Sequence, residues 1–271
     1  MFAHLKAVWT FRYFWMSLVR MDLRSRYRRS VLGIGWSVLH PLAMSAVFCL
    51  VFAEIMKVQG GDPAGYPAQW RWYAAYLLCG MSVWSFIQTS TAIGCQALLM
   101  NEAYIRQCPL PYGIYPLRTV MGTGIHFVIS MAVVVALVCV MKGTPAPLGL
   151  LWAVIPVLVL LFLFCWALAT LAAFATVYFH DTAHLVEVGS QLFFFLTPIM
   201  YPRTILEAKG AKALVDLNPV VVFLELIRTP LVDGTLPAAQ VYVQGVVLTL
   251  AAVGLAFGTI GWLQKKVIFH M

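Results

Sequence analysis

Residues 148–179 read LGLLWAVIPVLVLLFLFCWALATLAAFATVYF, a run of 32 residues without one charged side chain. An α-helix rises about 1.5 Å per residue, and the hydrocarbon core of a bilayer is about 30 Å thick. About 20 apolar residues therefore cross it, and this run is longer. The stretch predicts a transmembrane helix.

Four other stretches are long and apolar enough to cross a bilayer, and a further one is weaker. The weaker stretch contains Glu187, Gln191 and the helix-breaking Pro198, which should disturb its outer end. We count it because six spans place both termini in the cytoplasm, beside most of the basic residues. The sequence thus predicts an all-α polytopic membrane protein with six transmembrane helices in one domain, 1–271. The predicted spans are 31–53, 72–100, 119–141, 148–179, 185–201 and 241–263.

The composition excludes an ordinary soluble protein. The chain is 62% hydrophobic and 10% charged, whereas soluble domains carry about 25% charged residues. Its net charge of +8 is concentrated at the start, where seven of the 18 lysines and arginines fall within the first 29 positions. Beside a membrane span, such a cluster indicates a cytoplasmic surface that contacts anionic lipids, and we predict no nucleic-acid partner.

Three segments outside the spans have patterns of their own. Residues 11–29 predict an amphipathic helix in the cytoplasmic interface, with aromatic residues on one stripe and arginines on another. Residues 101–113 predict a short cytoplasmic helix, because Asn101 and Glu102 can cap free N–H groups and favour the positive helix end. Residues 202–238 predict an external segment whose apolar part is about half a membrane thick, as in re-entrant or interfacial helices.

Motifs for catalysis are weak. His180 and His184 flank Asp181 in a spacing that imitates a zinc-protease motif, but aspartate is shorter than the required glutamate and no third ligand is convincing. The serines in the spans lack a Gly-x-Ser-x-Gly setting. Gly-Lys does not occur, so there is no Walker A sequence. We predict no catalytic residue, no metal and no cofactor in this chain, and any ATP must be hydrolysed by another chain.

Aromatic residues are abundant, and some lie inside the predicted spans. Sugar rings stack on aromatic faces, so these side chains are candidates for lining a pathway, although packing between helices is the favoured explanation for any one of them. Acidic residues at mid-depth, which ion-coupled carriers normally need, are missing. The channel candidates are Trp36, Tyr76, Trp84 and Phe86.

Residues 18–41 read LVRMDLRSRYRRSVLGIGWSVLHP and resemble the opening of the ABC-2 type permeases. The closest likeness is to the subfamily that exports O-antigen, teichoic acid and capsular polysaccharides. Met21 separates Arg20 from Asp22, and His40 stands where the family often has Asn or Lys. The likeness continues through residues 101–109, His180-Asp181, the PIMYP run 198–202 and Asn218-Pro219; at position 180 the family more often has Arg.

The resemblance implies a homodimer of six-span permeases in the cytoplasmic (inner) membrane. Two ABC ATPase subunits would bind ATP and Mg, and a lipid-linked polysaccharide would pass through a channel at the permease dimer interface. The alternatives are an ABC-2 permease for a drug or another lipid, a secondary carrier and an intramembrane enzyme.

The same resemblance implies roles for three groups of residues. The arginine stripe either holds the acidic headgroup of the lipid carrier or only anchors the helix in membrane lipids. The ATPase-coupling candidates are Asn101, Glu102, Tyr104, Arg106 and Pro109. The lipid-headgroup candidates are Arg20, Asp22, Arg24, Arg26 and Arg28. The external-gate candidates are Pro198, Tyr201, Pro202, Asn218 and Pro219.

Overall fold

A computed structural model describes residues 9–27, 32–51, 69–107, 110–203, 206, 210, 212–264 and 266–267. Within these residues the regular structure is entirely helical. Arg28, Pro109 and the two ends of the predicted span 31–53 lie outside the described residues. The α-helices are α1 (Arg12–Tyr27), α2 (Trp36–Cys49), α3 (Gln69–Cys95), α4 (Glu102–Gln107), α5 (Ile114–Lys142), α6 (Leu151–Tyr178), α7 (Thr182–Leu196), α8 (Lys212–Asp216), α9 (Pro219–Arg228) and α10 (Ala239–Leu263).

Among the described residues, three helical segments are both long and apolar enough to cross a membrane: Ile114–Lys142, Ala146–Tyr178 and Ala239–Leu263. The second begins with a 3₁₀ turn, Ala146–Leu150, that leads into α6. Helices suit this environment because each satisfies its own backbone N–H and C=O groups where no water is available. The expectation of an all-α membrane protein is confirmed at this level, and the count of six spans stays a prediction.

α3 lies at the centre of the helix packing, against α2, α5, α6, α7 and α9. It approaches α6 closely at Gly94, where a Cβ would lie 2.7 Å from the Cα of Ala169. Small residues let membrane helices come close enough for extensive van der Waals contact. α10 packs against α6 and α9 on the other side.

α2 and α7 form a much less buried edge of the molecule. No residue of α7 is buried, and its apolar side chains Leu185, Val188 and Leu192 are more than half exposed. α7 contacts the neighbouring helices through its aromatic residues, for example Phe194 against Phe48 of α2, with ring centroids 6.4 Å apart. This edge therefore leaves a large apolar surface uncovered within one chain.

Two helices end earlier than the sequence predicted. α3 stops at Cys95 and not near residue 100, because tight turns follow in which Gln96 and Ala97 donate to Ile93 and Gly94. α7 ends at Leu196, and Thr197 is extended. A residue before proline is disfavoured in the helical region, so Pro198 sets this boundary.

In the segment 202–238, which the sequence predicts to be external, the described residues include two short helices in the apolar part, 214–227. α8 ends at Asp216, and α9 begins at Pro219 after a break at Asn218. The Asn218 side chain accepts a hydrogen bond of 2.9 Å from the N–H of Val220, which caps the start of α9. A π-helical turn, Thr229–Asp233, closes the segment before α10.

Candidate functional site

The short helix α4 has one exposed face and one face that packs against the rest of the protein. Ile105 is buried, whereas Ala103, Tyr104 and Arg106 are exposed. Glu102 in the first turn pairs with Arg106 at 2.7 Å, and both side chains are about half exposed. Such an i,i+4 surface pair contributes only about 0.3–0.5 kcal/mol, so it shapes the surface of α4 more than it stabilises the fold.

Arg118 joins three separate parts of the chain at the base of α4. Its Nε donates to Oδ2 of Asp22 at 2.6 Å and its Nη2 donates to Oδ1 of the same carboxylate, while Nη1 donates to Oδ1 of Asn101 at 2.7 Å. A two-pronged arginine–carboxylate bond fixes orientation as well as distance. Arg118 thus ties α1 and the start of α4 to α5, and we call Arg118, Asp22 and Asn101 the Arg118 junction.

Asn101 has a different role from the one expected. It was predicted to cap the helix that follows, but its Nδ2 donates to the carbonyl of Ala97 at 2.8 Å and its Oδ1 accepts from Arg118. The side chain is buried. It therefore satisfies a carbonyl in the turn after α3, where helix ends leave such groups unpaired.

Helix α1 also contacts α4 through Phe14 and Tyr104, whose ring centroids are 6.1 Å apart in an edge-to-face arrangement. Among the lipid-headgroup candidates, Arg20 is exposed, while the carboxylate of Asp22 is paired with Arg118. Arg24 and Arg26 lie in α1, but the described part of the structure does not include their side chains.

A second cluster lies around Arg228, at the end of α9. This arginine is only 5% exposed, and its Nη1 and Nη2 donate to the carbonyls of Pro198 and Ile199 at 2.7 and 2.8 Å. Its guanidinium lies 3.6 Å from the ring centroid of Tyr76, a close cation–π contact. A Cβ on Gly80 would lie 1.8 Å from Nη2, so the guanidinium occupies space that only glycine leaves free on α3.

Tyrosines of α3 hold the same turn, residues 197–201, from the other side. The Tyr73 hydroxyl donates to the carbonyl of Met200, and that of Tyr76 lies 3.1 Å from the carbonyl of Pro198 and 3.0 Å from that of Tyr201. Pro198 and Pro202 are buried. We call Arg228, Tyr73, Tyr76 and the turn they hold the outer clamp.

α8 and α9 are joined to this clamp by polar contacts. Asn218 donates to the Thr197 hydroxyl at 2.9 Å, and Arg203 pairs with Asp216 at 2.8 Å and with Glu225 at 3.0 Å. Nearby, the indole of Trp72 donates to Asp233 at 3.2 Å. Burial raises the pKa of Asp233, an effect opposed by this hydrogen bond and by the neighbouring cations.

The four aromatic channel candidates lie in different surroundings. Tyr76 belongs to the outer clamp. Trp84 is buried and contacts Phe193 and Phe194 of α7, and Phe86 is buried and stacks on Phe127 with centroids 4.5 Å apart. Trp36 is 52% exposed. Three of the four therefore contact other helices of the same chain, and Trp36 is the one with a largely open face.

Arg118 and Arg228 were missed by the sequence reasoning. Both lie close to a proline: Arg118 is two residues after Pro116, and Arg228 is two residues before Pro230. A lone arginine beside a membrane span could have been noticed in the sequence, since a charge at such a position normally needs a partner within the protein. Its partner is not visible from sequence, because Asp22 is 96 positions from Arg118.

Comparison with known proteins identifies the family. The profile described as ABC-2 type transporter matches residues 13–232. Two proteins of Klebsiella pneumoniae, both named O-antigen export system permease protein RfbA, are 25% and 26% identical over 241 and 242 residues, which is 88% of this chain and 88% of each of them. A protein of the same name from Myxococcus xanthus is 27% identical over 239 residues, covering 87% of this chain and 86% of its own length. The chain therefore belongs to the ABC-2 type transporter family and is a multi-pass membrane permease.

Proposed function

We propose that this chain is the membrane-spanning subunit of an ATP-driven exporter that moves a lipid-linked polysaccharide across the cytoplasmic membrane. The observation that carries the proposal is the exposed helix α4 on the Arg118 junction, which gives a soluble motor a surface to push against. The names of the relatives support the cargo, because each is named an O-antigen export system permease and the match covers most of its length.

The proposed topology has six spans. Three are the long apolar segments, and the others are α2, α3 and α7, of which α3 has 27 residues and is long enough to cross. Both termini and α4 then lie in the cytoplasm, and α8 and α9 lie outside. The basic residues of α1 support this orientation.

The proposed assembly is a homodimer with the channel between the two copies. α7 carries His184, Glu187 and Gln191 on a largely apolar, unburied helix. Ionisable and amide side chains facing lipid are costly, so such residues normally face a protein partner or a water-filled path. A second copy placed against the edge formed by α2 and α7 supplies both.

In the proposed mechanism, two ABC ATPase subunits bind ATP and Mg and close around them. Their movement displaces α4, and the Arg118 junction passes the displacement to α1 and α5 together. The outer clamp and the short helices α8 and α9 then form the external gate, which must loosen for the glycan to leave. The arginines of α1 contact the acidic headgroup of the lipid carrier or the surrounding lipids.

Reversing the charges on α4 tests the proposed coupling. With Glu102→Lys and Arg106→Glu, we expect export of radiolabelled glycan to fall at least about tenfold, equivalent to about 1.4 kcal/mol in the coupled step. The amount of permease in the membrane should not change, because both side chains are exposed. Export is measured from whole cells, and ATPase assembly by co-purification.

The matched control is Lys266→Glu, a charge reversal on an exposed residue after α10 and outside the external gate, for which we expect normal export. Normal export together with normal ATPase co-purification in the α4 variant would remove the coupling assignment. Loss of a labelled drug or phospholipid flux, with glycan export unaffected, would instead favour the alternative cargo. Export that persists without any ATPase would favour a secondary carrier.

A further inference from the structure

Three neighbouring helices each carry a stripe of polar residues within apolar sequence. On α5 the stripe is Thr119, Thr123, His126 and Ser130, at intervals of four, three and four residues. On α3 it is Ser82, Ser85 and Thr89, and on α2 it is Ser37 and His40. Residues at such spacings share one helix face. Each stripe faces the other two helices, since all nine residues line two adjoining cavities.

The two cavities form one groove. The first, of about 430 Å³, begins at the Arg118 junction, where Asp22, Asn101 and Arg118 line it. The second, of about 240 Å³, reaches Ser82 and Ser130, near the middle of α3 and α5. Both are lined by Thr123 and His126, so they meet there. We call the combined space the polar groove.

Only part of the polar lining is satisfied by the chain itself. Ser37 lies 2.8 Å from Nδ1 of His126, Ser82 lies 3.0 Å from Ser130, and Thr123 lies 2.8 Å from Ser90. The hydroxyls of Ser85 and Thr89, both half-buried, bond to no residue in the part of the chain that the structure describes. Hydroxyls without a partner are costly away from water, so the groove must hold water or a polar ligand.

The charges of the groove disfavour an anionic ligand. Arg118 is the one cation among the described lining residues, and its three nitrogens are all engaged with Asp22 and Asn101. The rest of the polar lining is hydroxyl and imidazole. These groups both donate and accept hydrogen bonds, as the hydroxyls of a neutral sugar do.

Aromatic faces complete the lining. Phe86 and Phe127, which stack on each other, line the second cavity, and so does Trp36, whose side chain is 52% exposed. Apolar and aromatic walls with a few convergent polar groups are the usual make-up of a small-molecule site, and about 300–1,000 Å³ is its usual volume. The larger cavity alone falls in that range.

We propose that the polar groove binds neutral sugar residues of the lipid-linked glycan, which enter from the cytoplasmic end beside the Arg118 junction. It is a loading site within each chain, separate from the channel between the two copies. This inference rests on the proposed function. It assigns the unpaired hydroxyls of Ser85 and Thr89 to the sugar, and it places the site where movement of the Arg118 junction changes its opening.

Cysteine accessibility in inside-out vesicles tests the proposal. Ser85→Cys and Thr89→Cys are made separately in a chain whose six native cysteines are replaced by alanine. The probe is a methanethiosulfonate with a quaternary ammonium group, a permanently cationic reagent that reacts with thiols in contact with water. Vesicles come from cells with an inactivated ATPase subunit, in which glycan synthesis either runs or is blocked at its first sugar transfer. We expect modification of both cysteines when synthesis is blocked, and modification several-fold slower when glycan accumulates.

The control is Val128→Cys on the apolar face of α5, at the level of His126 and Ser130, where Val128 is 59% exposed. We expect it to stay unmodified in both conditions, because the reagent is charged. A second readout uses Thr89→Val, which keeps the shape of the side chain and removes its hydroxyl. Glycan export at limiting supply should fall about fivefold, the value of one net hydrogen bond.

The outcomes separate this inference from the proposed function. Cysteines that react at the same rate with and without glycan, in cells whose export requires this chain, would overturn the groove as a sugar site and leave the function standing. Cysteines that never react would show a dry groove and also overturn it. Glycan export that continues without this chain would overturn the function, and the inference with it.

Discussion

Gly80→Ala is expected to open the outer clamp and lower the free energy of unfolding by about 3 kcal/mol, from the loss of two hydrogen bonds to a charged group. The new Cβ would lie 1.8 Å from Nη2 and 2.8 Å from Cζ of Arg228. The guanidinium must therefore leave the carbonyls of Pro198 and Ile199 and its place beside the ring of Tyr76. Normally Gly→Ala within a helix is stabilising, so the expected sign is the reverse of the usual one.

Thermal denaturation of the permease in lipid nanodiscs measures this effect. Gly254→Ala in α10 is the matched control, because a Cβ at this position would have open space around it, with no contact within 4 Å. Arg228→Ala should itself be destabilising, and Gly80→Ala added to it should cost nothing further, since the clash is gone. An additive loss in the double variant would show that the two residues do not act through each other.

Arg118→Gln is expected to uncouple ATP hydrolysis from export. The substitution removes the two-pronged bond to Asp22 and weakens the bond to Asn101, so α4 can move without carrying α1 and α5. Hydrogen bonds to charged groups contribute about 1.5–3 kcal/mol each, which is roughly a tenfold or greater loss of export per ATP hydrolysed. Arg118 is 13% exposed and Asp22 45% exposed, so solvent weakens this pair only in part.

The readout is the ratio of glycan exported to ATP hydrolysed in proteoliposomes that contain both subunits. If Arg118 had a purely structural role, its substitution would lower the rates of glycan export and of ATP hydrolysis together. Arg118→Lys should give an intermediate ratio, because lysine keeps the positive charge but cannot form the two-pronged hydrogen bond to the Asp22 carboxylate. Asp22→Asn, combined with Arg118→Gln, should add little to either single change, and fully additive losses would place the two residues in separate roles.

The apolar runs predicted much of the helical framework. The long stretches 119–141, 148–179 and 241–263 lie within or close to the observed segments Ile114–Lys142, Ala146–Tyr178 and Ala239–Leu263. Their signal is strong because about 20 consecutive apolar residues have few alternatives to a membrane helix. Pro198 also indicated a disturbed end, and α7 stops two residues before it.

The polar contacts that build the candidate sites were beyond sequence reasoning. Arg228 binds carbonyl groups about 30 positions away, and carbonyls carry no sequence signal. Asparagine is a common helix cap, but the side-chain oxygen of Asn101 accepts a hydrogen bond from the guanidinium of Arg118 and not from a backbone N–H of the following helix. The polar stripes of α2, α3 and α5 were visible as single serines and histidines, and only the packing of the three helices brings them into one groove.

The labelling of Ala103→Cys, on the exposed face of α4, tests most directly whether α4 lies in the cytoplasm and binds the ATPase subunit. The reagent is a membrane-impermeant maleimide, applied to right-side-out and inside-out vesicles with and without the ATPase subunit. We expect labelling only in inside-out vesicles, with clear protection once the ATPase is bound. Labelling of right-side-out vesicles, or equal labelling with and without the ATPase, would contradict it.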